Sequence, residues 1–538
     1  MTMKKTILSM AIALGLGFAN VAQAQKMSNI CGVTAADEEI LVQRLTENRE
    51  MMEKGLLAEN NRGAKKYVPV KFHIIGKNDG SGRINEAKIL ENLCQMNKDY
   101  ADQDIVFYLK VEANGDIFNY INSTNAFDNQ QNGLGLATLN TNYKKFPNAI
   151  NFFLVQNASS DNQLGGTTLG YYSPTNDWLV IRNDQVNSTS GTISHEVGHH
   201  FSLPHPFKGW DQQTLKDLYP TEWASGKEFQ VTNVVAPDGV TLVEFADKSN
   251  CKQSGDRICD TPADYNFGFD WTGCTPFTKK IRDPNGAGTL LDPQEELFMG
   301  YFIGCSNYVF SAEQKVLMAA DYLSAKRAKL RPNYTPNIVD VNTKVNLQTP
   351  AAGEITPYYN SVTFDWDDVP GADRYILEID KSPSFTSGAT TIRSLEKTSI
   401  KVVKNLLAGT NYYWRVIPFH SESGTCVTLG TQNKIKFTTG DAVLSANDIS
   451  GVAAWTVAPN PVNAGNAIII DIEVANPFTA EVALLNGIGQ KVQTLGNQQF
   501  TQGANRLEIS TKDIPAGIYF VQMQTGKAIM NKKVVVLN

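Results

Sequence analysis

The segment Thr192–Pro206, with the sequence TISHEVGHHFSLPHP, constrains this chain more than any other feature. Four of the six histidines lie between positions 195 and 205. His195 and His199 are four residues apart, so on a helix their side chains lie on one face, about one turn apart. Two imidazoles on that face can hold one metal ion, and Glu196 can reach a water bound to it. The segment therefore predicts a helix that carries a catalytic metal site.

His205 is the candidate for a third imidazole ligand, because catalytic zinc takes three protein ligands and keeps one position open. It cannot share the helical face of His199, so the helix has to end between them. Residues 202–204, Ser-Leu-Pro, predict that break, since proline disfavours helix at its own position and at the one before. A chance H-E-x-x-H on an ordinary amphipathic helix is the alternative, and the spacing of His205 argues against it. His200 points about 100° away from His199 and is expected to pack or to support the ligands.

This segment and others downstream resemble the pappalysin/cytophagalysin family of metzincin metallopeptidases. The resemblance extends over Tyr67–Leu330 and departs from the family at Ser202, Leu297 and Gly300, where the family has glycine, asparagine and aspartate. The downstream segments that carry it are GDRICDTP at Gly255–Pro262, the Met-turn LFMGY at Leu297–Tyr301, Cys305, FSAEQ at Phe310–Gln314, and Met318.

The resemblance implies an α+β catalytic domain and a zinc-dependent endopeptidase. Its Zn²⁺ ligands would be His195, His199 and His205, with Glu196 as the base that activates a zinc-bound water. Met299 would underlie the site by packing, and Tyr301 would hydrogen-bond to the developing oxyanion. The alternative function is an inactive metallopeptidase fold that serves as a surface binding or adhesion protein.

Seven cysteines give an odd count. Cys251, Cys259, Cys274 and Cys305 predict two disulfides with three pairings open; a second zinc site is the alternative, but the spacings do not match C-x-x-C pairs. The family resemblance favours Cys274 with Cys305, which leaves Cys251 with Cys259. Cys94, in a predicted helix, and Cys426, in a predicted β domain, are expected to be buried thiols.

Hard oxygen ligands lie close together at Asp256, Asp260 and Thr261, and calcium accepts carboxylates and carbonyls in irregular loops. Some relatives in the family bind calcium in this region. A Ca²⁺ site and a loop held only by capping hydrogen bonds are the two interpretations of these residues.

Residues 1–24 have the composition of a signal peptide, with Lys4-Lys5, an apolar stretch and a small-x-small cleavage site. Residues 25–66 are polar, helical in pattern and end in a basic stretch, which is typical of a pro-segment with a protease-sensitive end. Cys31 lies within it. A thiolate can fill the open position on zinc, as in some members of the family, so Cys31 either enforces latency or is a stray thiol.

The C-terminal third predicts two all-β sandwich domains after the catalytic domain at 67–335. Alternating strands and turns at 345–440, with Trp366 and Trp414, resemble a fibronectin type III domain. Residues 455–538 resemble the C-terminal sorting domain of the type IX secretion system, through Pro459-Asn460-Pro461, the glycine turn at 487–489 and the basic strand at 532–536. Another small sandwich is the alternative for this last domain.

The net charge of −6 and the lack of long basic runs argue against nucleic-acid binding. No segment is a convincing transmembrane span. We therefore expect a multidomain protein, secreted or on the cell surface, exported through the periplasm of a Gram-negative bacterium. Its expected partners are protein or peptide substrates and the type IX machinery.

Overall fold

The structure is a computed structural model. It describes residues 31–55, 64–128, 133–142, 145–158, 168–211, 213–286, 288–386, 390–395, 398–402, 406–442, 449, 451–526 and 528–538. The expected signal peptide, the first six residues of the expected pro-segment, and residues 56–63, which include the first half of its basic end, lie outside the described residues.

The α-helices of the described residues all belong to the first 330 positions. They are α1 (Ala35–Glu53), α2 (Glu86–Asp99), α3 (Thr124–Asp128), α4 (Gly133–Asn142), α5 (Thr192–His200), α6 (Leu215–Leu218), α7 (Pro220–Ser225) and α8 (Ala312–Leu323). Within the part of the chain described here, none of them has both the length and the apolar character needed to cross a membrane.

A six-stranded sheet forms the centre of the N-terminal unit. Its strands are β1 (Lys66–Gly76), β2 (Ile105–Leu109), β3 (Asn119–Asn122), β4 (Ile150–Val155), β5 (Gly170–Ser173) and β6 (Trp178–Arg182). The order is β2-β1-β4-β6-β5, and β3 pairs with the far end of β1. All pairs are parallel except β5 with β6, so β5 is an antiparallel edge strand. β1 and β4 are nearly all buried, as their continuous apolar runs predict for central parallel strands.

Helix α5 packs against β5, β6 and α2, which brings its histidines beside the sheet edge. The chain that follows is mostly irregular in its described residues, where α6, α7 and a 3₁₀ helix at Phe267–Asp270 are short and the strands are the parallel pair β7 (Phe229–Gln230) and β8 (Ile281–Arg282). Two disulfides tie this region together, Cys251–Cys259 and Cys274–Cys305. These are the pairings that the family resemblance favoured.

The last helix of the unit is shorter than its sequence pattern predicts. Ser311 caps α8, and Gln314 completes the expected capping box. The sequence pattern of Ser311–Leu330 predicts one helix over the whole segment. This prediction is wrong at its end, because Ser324 adopts an extended conformation and a 3₁₀ helix follows at Ala325–Leu330. The break lets the buried Arg327 turn back to Asp321, which accepts a hydrogen bond of 2.7 Å from its Nε.

Two β-sandwiches follow. The first comprises β9 (Leu347–Thr349), β10 (Ile355–Tyr358), β11 (Val362–Trp366), β12 (Arg374–Asp380), β13 (Thr390–Leu395), β14 (Ser399–Val402), β15 (Asn411–Phe419) and β16 (Ile435–Ala442). Its sheets have the orders β10-β16-β15-β12-β13 and β14-β11-β9. Trp366 and Trp414 lie in its core, as the alternating strands predict.

The second sandwich has the sheet orders β17-β19-β22 and β18-β24-β23-β20-β21, and its own apolar core. Its strands are β17 (Val452–Ala458), β18 (Val462–Asn463), β19 (Ala467–Val474), β20 (Phe478–Asn486), β21 (Lys491–Phe500), β22 (Gly503–Ser510), β23 (Gly517–Gln524) and β24 (Ile529–Leu537).

A disulfide between Cys94 on α2 and Cys426 in the first sandwich links that module to the N-terminal unit. The expectation that both are buried thiols is therefore wrong. Their separation of 332 residues hides the pairing from any local pattern. Beside the disulfide, the backbone N–H of Leu429 donates to Glu91 Oε1 at 3.2 Å. Ile417 of β15 belongs to the core of the N-terminal unit, so the first sandwich packs directly against that unit.

Candidate metal centre and catalytic site

Helix α5 presents His195 and His199 side by side, one turn apart, with both side chains buried. Their ring centroids are 4.7 Å apart. Met299 lies directly beneath the helix, because a Cβ at Gly198 would collide with its Sδ. Position 198 therefore requires glycine, because the Met299 thioether approaches the helix backbone closely there. A larger residue would push α5 away from the Met299 turn.

The turn after α5 brings a third histidine back to the first two. Ser202 has φ +69°, a left-handed conformation that glycine adopts more easily. Its N–H donates to the carbonyl of His199 at 2.9 Å, and the N–H of Leu203 donates to that of Gly198 at 3.0 Å. The chain therefore reverses within one turn and directs His205 at the helix.

The Nε2 atoms of the three histidines converge. The distances are 3.1 Å from His199 to His195, 3.1 Å from His199 to His205, and 3.3 Å from His205 to His195. The outer Nδ1 atoms have acceptors: the Phe298 carbonyl for His195 at 2.6 Å and the Leu203 carbonyl for His199 at 2.7 Å. Two carboxylates flank Nδ1 of His205.

These outer acceptors require a hydrogen on each Nδ1, which leaves an Nε2 lone pair on each neutral ring. When all three rings are neutral, three Nε2 lone pairs face one point and repel one another unless a cation lies there; without a metal ion, a proton on His205 supplies the positive charge. Burial, followed by the charge of His205, lowers the pKa of His195 to about 3, and the same causes lower the pKa of His199. Burial also opposes a charge on His205, but Tyr301 and the two carboxylates raise its pKa well above the usual range.

Cys31 provides a fourth donor to this cluster. Its Sγ lies 3.5 Å from Nε2 of His199 and 3.5 Å from Oε2 of Glu196. A backbone hydrogen bond of 2.9 Å from Gly32 N–H to the Gly170 carbonyl holds this segment along the edge strand β5. Burial, together with the charge of Glu196, raises the pKa of the Cys31 thiol. Cys31 is the one cysteine of the chain outside the three disulfides.

The donor set fits zinc. A tetrahedral zinc site with Zn–N of about 2.1 Å and Zn–S of about 2.3 Å has donor–donor separations of roughly 3.4–3.6 Å. The atoms that converge, three imidazole nitrogens and one sulfur, are the soft and borderline donors that zinc prefers. The converging lone pairs and the observed separations of 3.1–3.5 Å are compatible with such an ion.

Glu196 and Tyr301 border the cluster on the side of a cavity of about 380 Å³. Burial raises the pKa of Glu196 to about 8, against the hydrogen bond from Cys31 and the charge of His205. The hydroxyl of Tyr301 accepts a hydrogen bond of 3.2 Å from the backbone N–H of Cys31. Burial raises the pKa of Tyr301 well above its usual range, so the phenol keeps its proton at neutral pH.

Two residues at this centre escaped the sequence analysis, Glu38 and Asp211. Oε1 of Glu38 lies 2.7 Å and Oδ1 of Asp211 lies 2.8 Å from Nδ1 of His205. Glu38 is far from the histidines in sequence, and Asp211, six residues after His205, lies in an irregular segment where its spacing does not predict a contact. The only available signal was the acidic first turn of the pro-segment helix, which patterns do not connect to a metal site.

The structure does not gather Asp256, Asp260 and Thr261 around one point. The Asp260 carboxylate accepts from the Ser311 hydroxyl at 2.6 Å and from the Glu313 N–H at 2.7 Å, which are capping contacts to α8. The Thr261 hydroxyl donates to Asp256, which is fully buried.

Glu244 is a further buried carboxylate near Asp256, and the sequence analysis did not single it out. Burial raises the pKa of Glu244 to about 10, and the charge of Asp256 contributes. Neither carboxylate oxygen of Glu244 has a hydrogen-bond partner among the described residues. Glu244 and Asp256 are therefore two buried carboxyl groups whose negative charges oppose each other, whereas Asp260 caps α8.

The other two histidines of interest lie outside the cluster. His200 is buried, with its ring 5.2 Å from that of Tyr172 and its Nδ1 3.7 Å from Asp177. His73 lies on β1, where its Nε2 is 2.9 Å from Asn151 Oδ1. Both are packed side chains of the N-terminal unit.

Comparison with known proteins identifies the last module. Residues 456–537 match the family of secretion system C-terminal sorting domains, which confirms the sorting domain expected from the sequence. No curated protein matches the chain. Among solved structures, the chain is similar to a mutant of promirolysin from Tannerella forsythia, at 17% identity and a TM-score of 0.36, over 56% of this chain and 96% of that one. It is also similar to a Fn3-like protein from Clostridium thermocellum, at 16% identity and a TM-score of 0.14, over 20% of this chain and 100% of that one.

Proposed function

We propose that the protein is a secreted zinc endopeptidase that is latent in its full-length form. The observation that carries this proposal is the convergence of three imidazole Nε2 atoms, within 3.3 Å of one another, beside a buried glutamate. His195, His199 and His205 would hold Zn²⁺, and Cys31 would complete the set in the precursor. Zinc bound there polarises a carbonyl and makes water a stronger nucleophile at neutral pH.

Glu196 is the proton carrier of the proposed reaction. Its carboxylate faces the cluster and accepts a hydrogen bond of 3.5 Å from the Cys31 thiol. The thiol therefore stands where a water would lie once Cys31 has left, and that water would be within reach of Glu196. Glu196 takes a proton from the attacking water and later gives it to the leaving amine. Its buried position keeps the pKa close to the working range, as an acid–base catalyst requires.

Tyr301 acts as a hydrogen-bond donor in this proposal. Its hydroxyl now accepts from the Cys31 backbone, and departure of that segment frees it to donate to the oxyanion of the tetrahedral intermediate. A Tyr301→Phe variant should lower kcat by about 10–1,000-fold with a small effect on KM, because the contact forms only as the oxyanion develops.

An extended peptide is the proposed substrate. The pro-segment already pairs with edge strand β5 through a parallel bridge between Cys31 and Gly170. When the pro-segment leaves, the backbone groups of β5 that it occupied become free. A peptide substrate can then pair with them, since edge strands accept added strands through main-chain hydrogen bonds. The sorting domain supports export of this enzyme by a secretion system.

Calcium binding is part of the same proposal, at Asp256 and Thr261 with Glu244 in place of Asp260. The two unpaired oxygens of buried Glu244 support it, because a buried carboxylate without a partner is costly.

The test uses the purified protein after pro-segment release, with metal content measured by elemental analysis and turnover on a mixed peptide substrate. Glu196→Gln should keep one zinc per chain and lose turnover by about 10²–10⁴-fold. His205→Ala should lose zinc. His200→Gln is the matched control, since this neighbouring histidine faces away from the cluster, and it should keep zinc.

Normal turnover by Glu196→Gln would refute the mechanism. A wild-type protein that binds zinc but cleaves nothing would instead support a binding or adhesion function for the fold.

A further inference from the structure

Resting on the proposed function, we propose that Asp211 positions His205 for metal binding and that Glu38 of the pro-segment shares this task in the precursor. The pro-segment would then hold the centre from two sides, with Cys31 on the inner face and Glu38 behind the third histidine.

The contacts of His205 carry this inference. Its Nδ1 lies 2.7 Å from Glu38 Oε1 and 2.8 Å from Asp211 Oδ1, and its backbone N–H donates to Glu38 Oε1 at 3.2 Å. The His205 ring and the Glu38 side chain are almost completely buried. Oxygens at such distances require a hydrogen on Nδ1, which in turn directs the Nε2 lone pair at the centre.

A single N–H cannot serve two acceptors equally well. Both oxygens lie within 2.8 Å of His205 Nδ1, yet neither His205 Nδ1 nor Asp211 Oδ1 makes a well-directed hydrogen bond within the described structure. In the proposed arrangement the two carboxylates share the one N–H, and each holds the ring only in part. When Glu38 leaves with the pro-segment, a small ring rotation can align the N–H with Asp211.

The pro-segment helix α1 is anchored well enough to hold Glu38 in place. Thr34 caps its first turn through a capping box with Asp37. Asn48 donates to Asp321 at 2.9 Å, and Arg49 bonds to Glu313 at 2.8 Å. Glu38 is therefore fixed on a docked helix, seven residues from Cys31, and the two side chains reach the cluster from different directions.

Asp211 belongs to the part of the chain that comes after α5, and it remains when the pro-segment is gone. A metal-bound histidine usually donates its other N–H to a carboxylate or carbonyl, and loss of that acceptor typically weakens metal binding by about 10–100-fold. His195 and His199 have backbone carbonyls in this role. His205 depends on side chains, so it is the one ligand whose support changes on maturation.

A double-mutant cycle in the full-length precursor tests the inference. The proteins are wild type, Glu38→Ala, Asp211→Ala and the double variant. The probe is Zn²⁺ affinity by competition with a chelator, together with the visible absorption of the Co²⁺-substituted protein. Each single variant should keep zinc affinity within about threefold, because the other carboxylate still holds the ring, whereas the double variant should lose about 10–100-fold.

Two controls separate positioning from folding. Glu39→Ala removes the neighbouring glutamate, which pairs with Lys208 at 2.6 Å, and should change neither zinc affinity nor the Co²⁺ spectrum. Asp211→Asn in the Glu38→Ala background keeps an acceptor oxygen and should recover part of the lost affinity. Circular dichroism should be the same for all variants.

Additive losses in the double variant, or a Co²⁺ spectrum that the double variant leaves unchanged, would overturn the positioning role. A precursor that binds no zinc in any form would overturn the proposed function and this inference together. Binding of zinc without coupling between the two carboxylates would overturn this inference alone.

Discussion

The hydroxyl of Ser202 donates a hydrogen bond of 2.8 Å to Oδ1 of Asp321 on α8. The same oxygen accepts from Asn48 of the pro-segment helix at 2.9 Å, and the other carboxylate oxygen accepts from Arg327 at 2.7 Å. Ser202 thus offsets the cost of its left-handed φ with a buried hydrogen bond to a charged acceptor. It also links the turn before His205 to the helix that carries the pro-segment contacts.

The first prediction separates these two effects at position 202. Ser202→Gly loses the hydrogen bond but relieves the backbone, so its free energy of unfolding should fall by less than about 1.5 kcal/mol. Ser202→Ala loses the bond and keeps the strain, and it should cost about 1–2 kcal/mol more than the glycine variant. Chemical denaturation of both zinc-loaded variants measures the difference, and equal stability of the two would contradict the account of strain.

The second prediction concerns latency. Cys31→Ser removes the sulfur that lies 3.5 Å from His199 Nε2, so the full-length variant should cleave peptides that the wild-type precursor leaves intact. Substrate turnover before any pro-segment cleavage is the measurement, and Glu39→Ala serves as a variant of the same segment that should stay latent. If the Cys31→Ser precursor cleaves the substrate no faster than the wild-type precursor does, the thiol has no part in latency.

The third prediction is a pH dependence that arises at His73. Burial, with a contribution from Lys71, lowers the pKa of His73 to about 4, whereas an unfolded chain has the ordinary value of about 6.5. The depressed value means that the unfolded state binds the proton first. This part of the stability is complete above pH 6.5 and is lost as the pH falls towards 4.

At pH 4.5 the loss from this residue should be about 2–3 kcal/mol. His73→Gln keeps a polar side chain beside Asn151 but does not titrate, so its unfolding free energy should fall less steeply between pH 7 and 4.5. The metal-site histidines are the same in both proteins and cancel in the comparison. Parallel pH curves would exclude His73 as the source.

The fourth prediction concerns the sorting domain. Removal of residues 451–538 deletes all the strands from β17 to β24, and the second sandwich has its own core, so zinc content and activity should persist. The truncated enzyme should be trapped in the periplasm. Arg506→Ala is the matched control, because it breaks the contact with Asp116 of the N-terminal unit but keeps the module. Truncated enzyme in the culture medium would refute the export role, and an inactive periplasmic product would point to structural support instead.

Local spacing was enough to predict the elements that carry the candidate site. The four-residue interval between His195 and His199 predicts that they lie one helical turn apart, and the apolar runs of β1 and β4 predict central strands. Glu38, Asp211 and Glu244 could not be found in this way. They reach their neighbours through docking of a distant helix or through irregular loops, where no period relates sequence position to direction.

Where a prediction from the sequence pattern was wrong, the cause was a contact between residues far apart in the fold. The apolar pattern to Leu330 is helical throughout, but Arg327 needs the charges of Asp321 and Asp177, and the helix ends at Leu323 to satisfy it. Cys94 and Cys426 were expected to be buried thiols because each was considered only within its own predicted domain. Only the packing of the two domains brings them together.

The Cys94–Cys426 bond closes a covalent ring around the middle of the chain. The three converging histidines, the Met299 turn and the linker to the first sandwich all lie within it. A single peptide bond cut inside the ring leaves one covalent molecule until the disulfide is reduced, whereas a cut before Cys94 or after Cys426 leaves the outer fragment held by non-covalent contacts alone. The pro-segment and the sorting domain are both outside. The crosslink thus divides the protein into two terminal segments that one cleavage can separate covalently and a central segment that stays covalently joined after one cleavage.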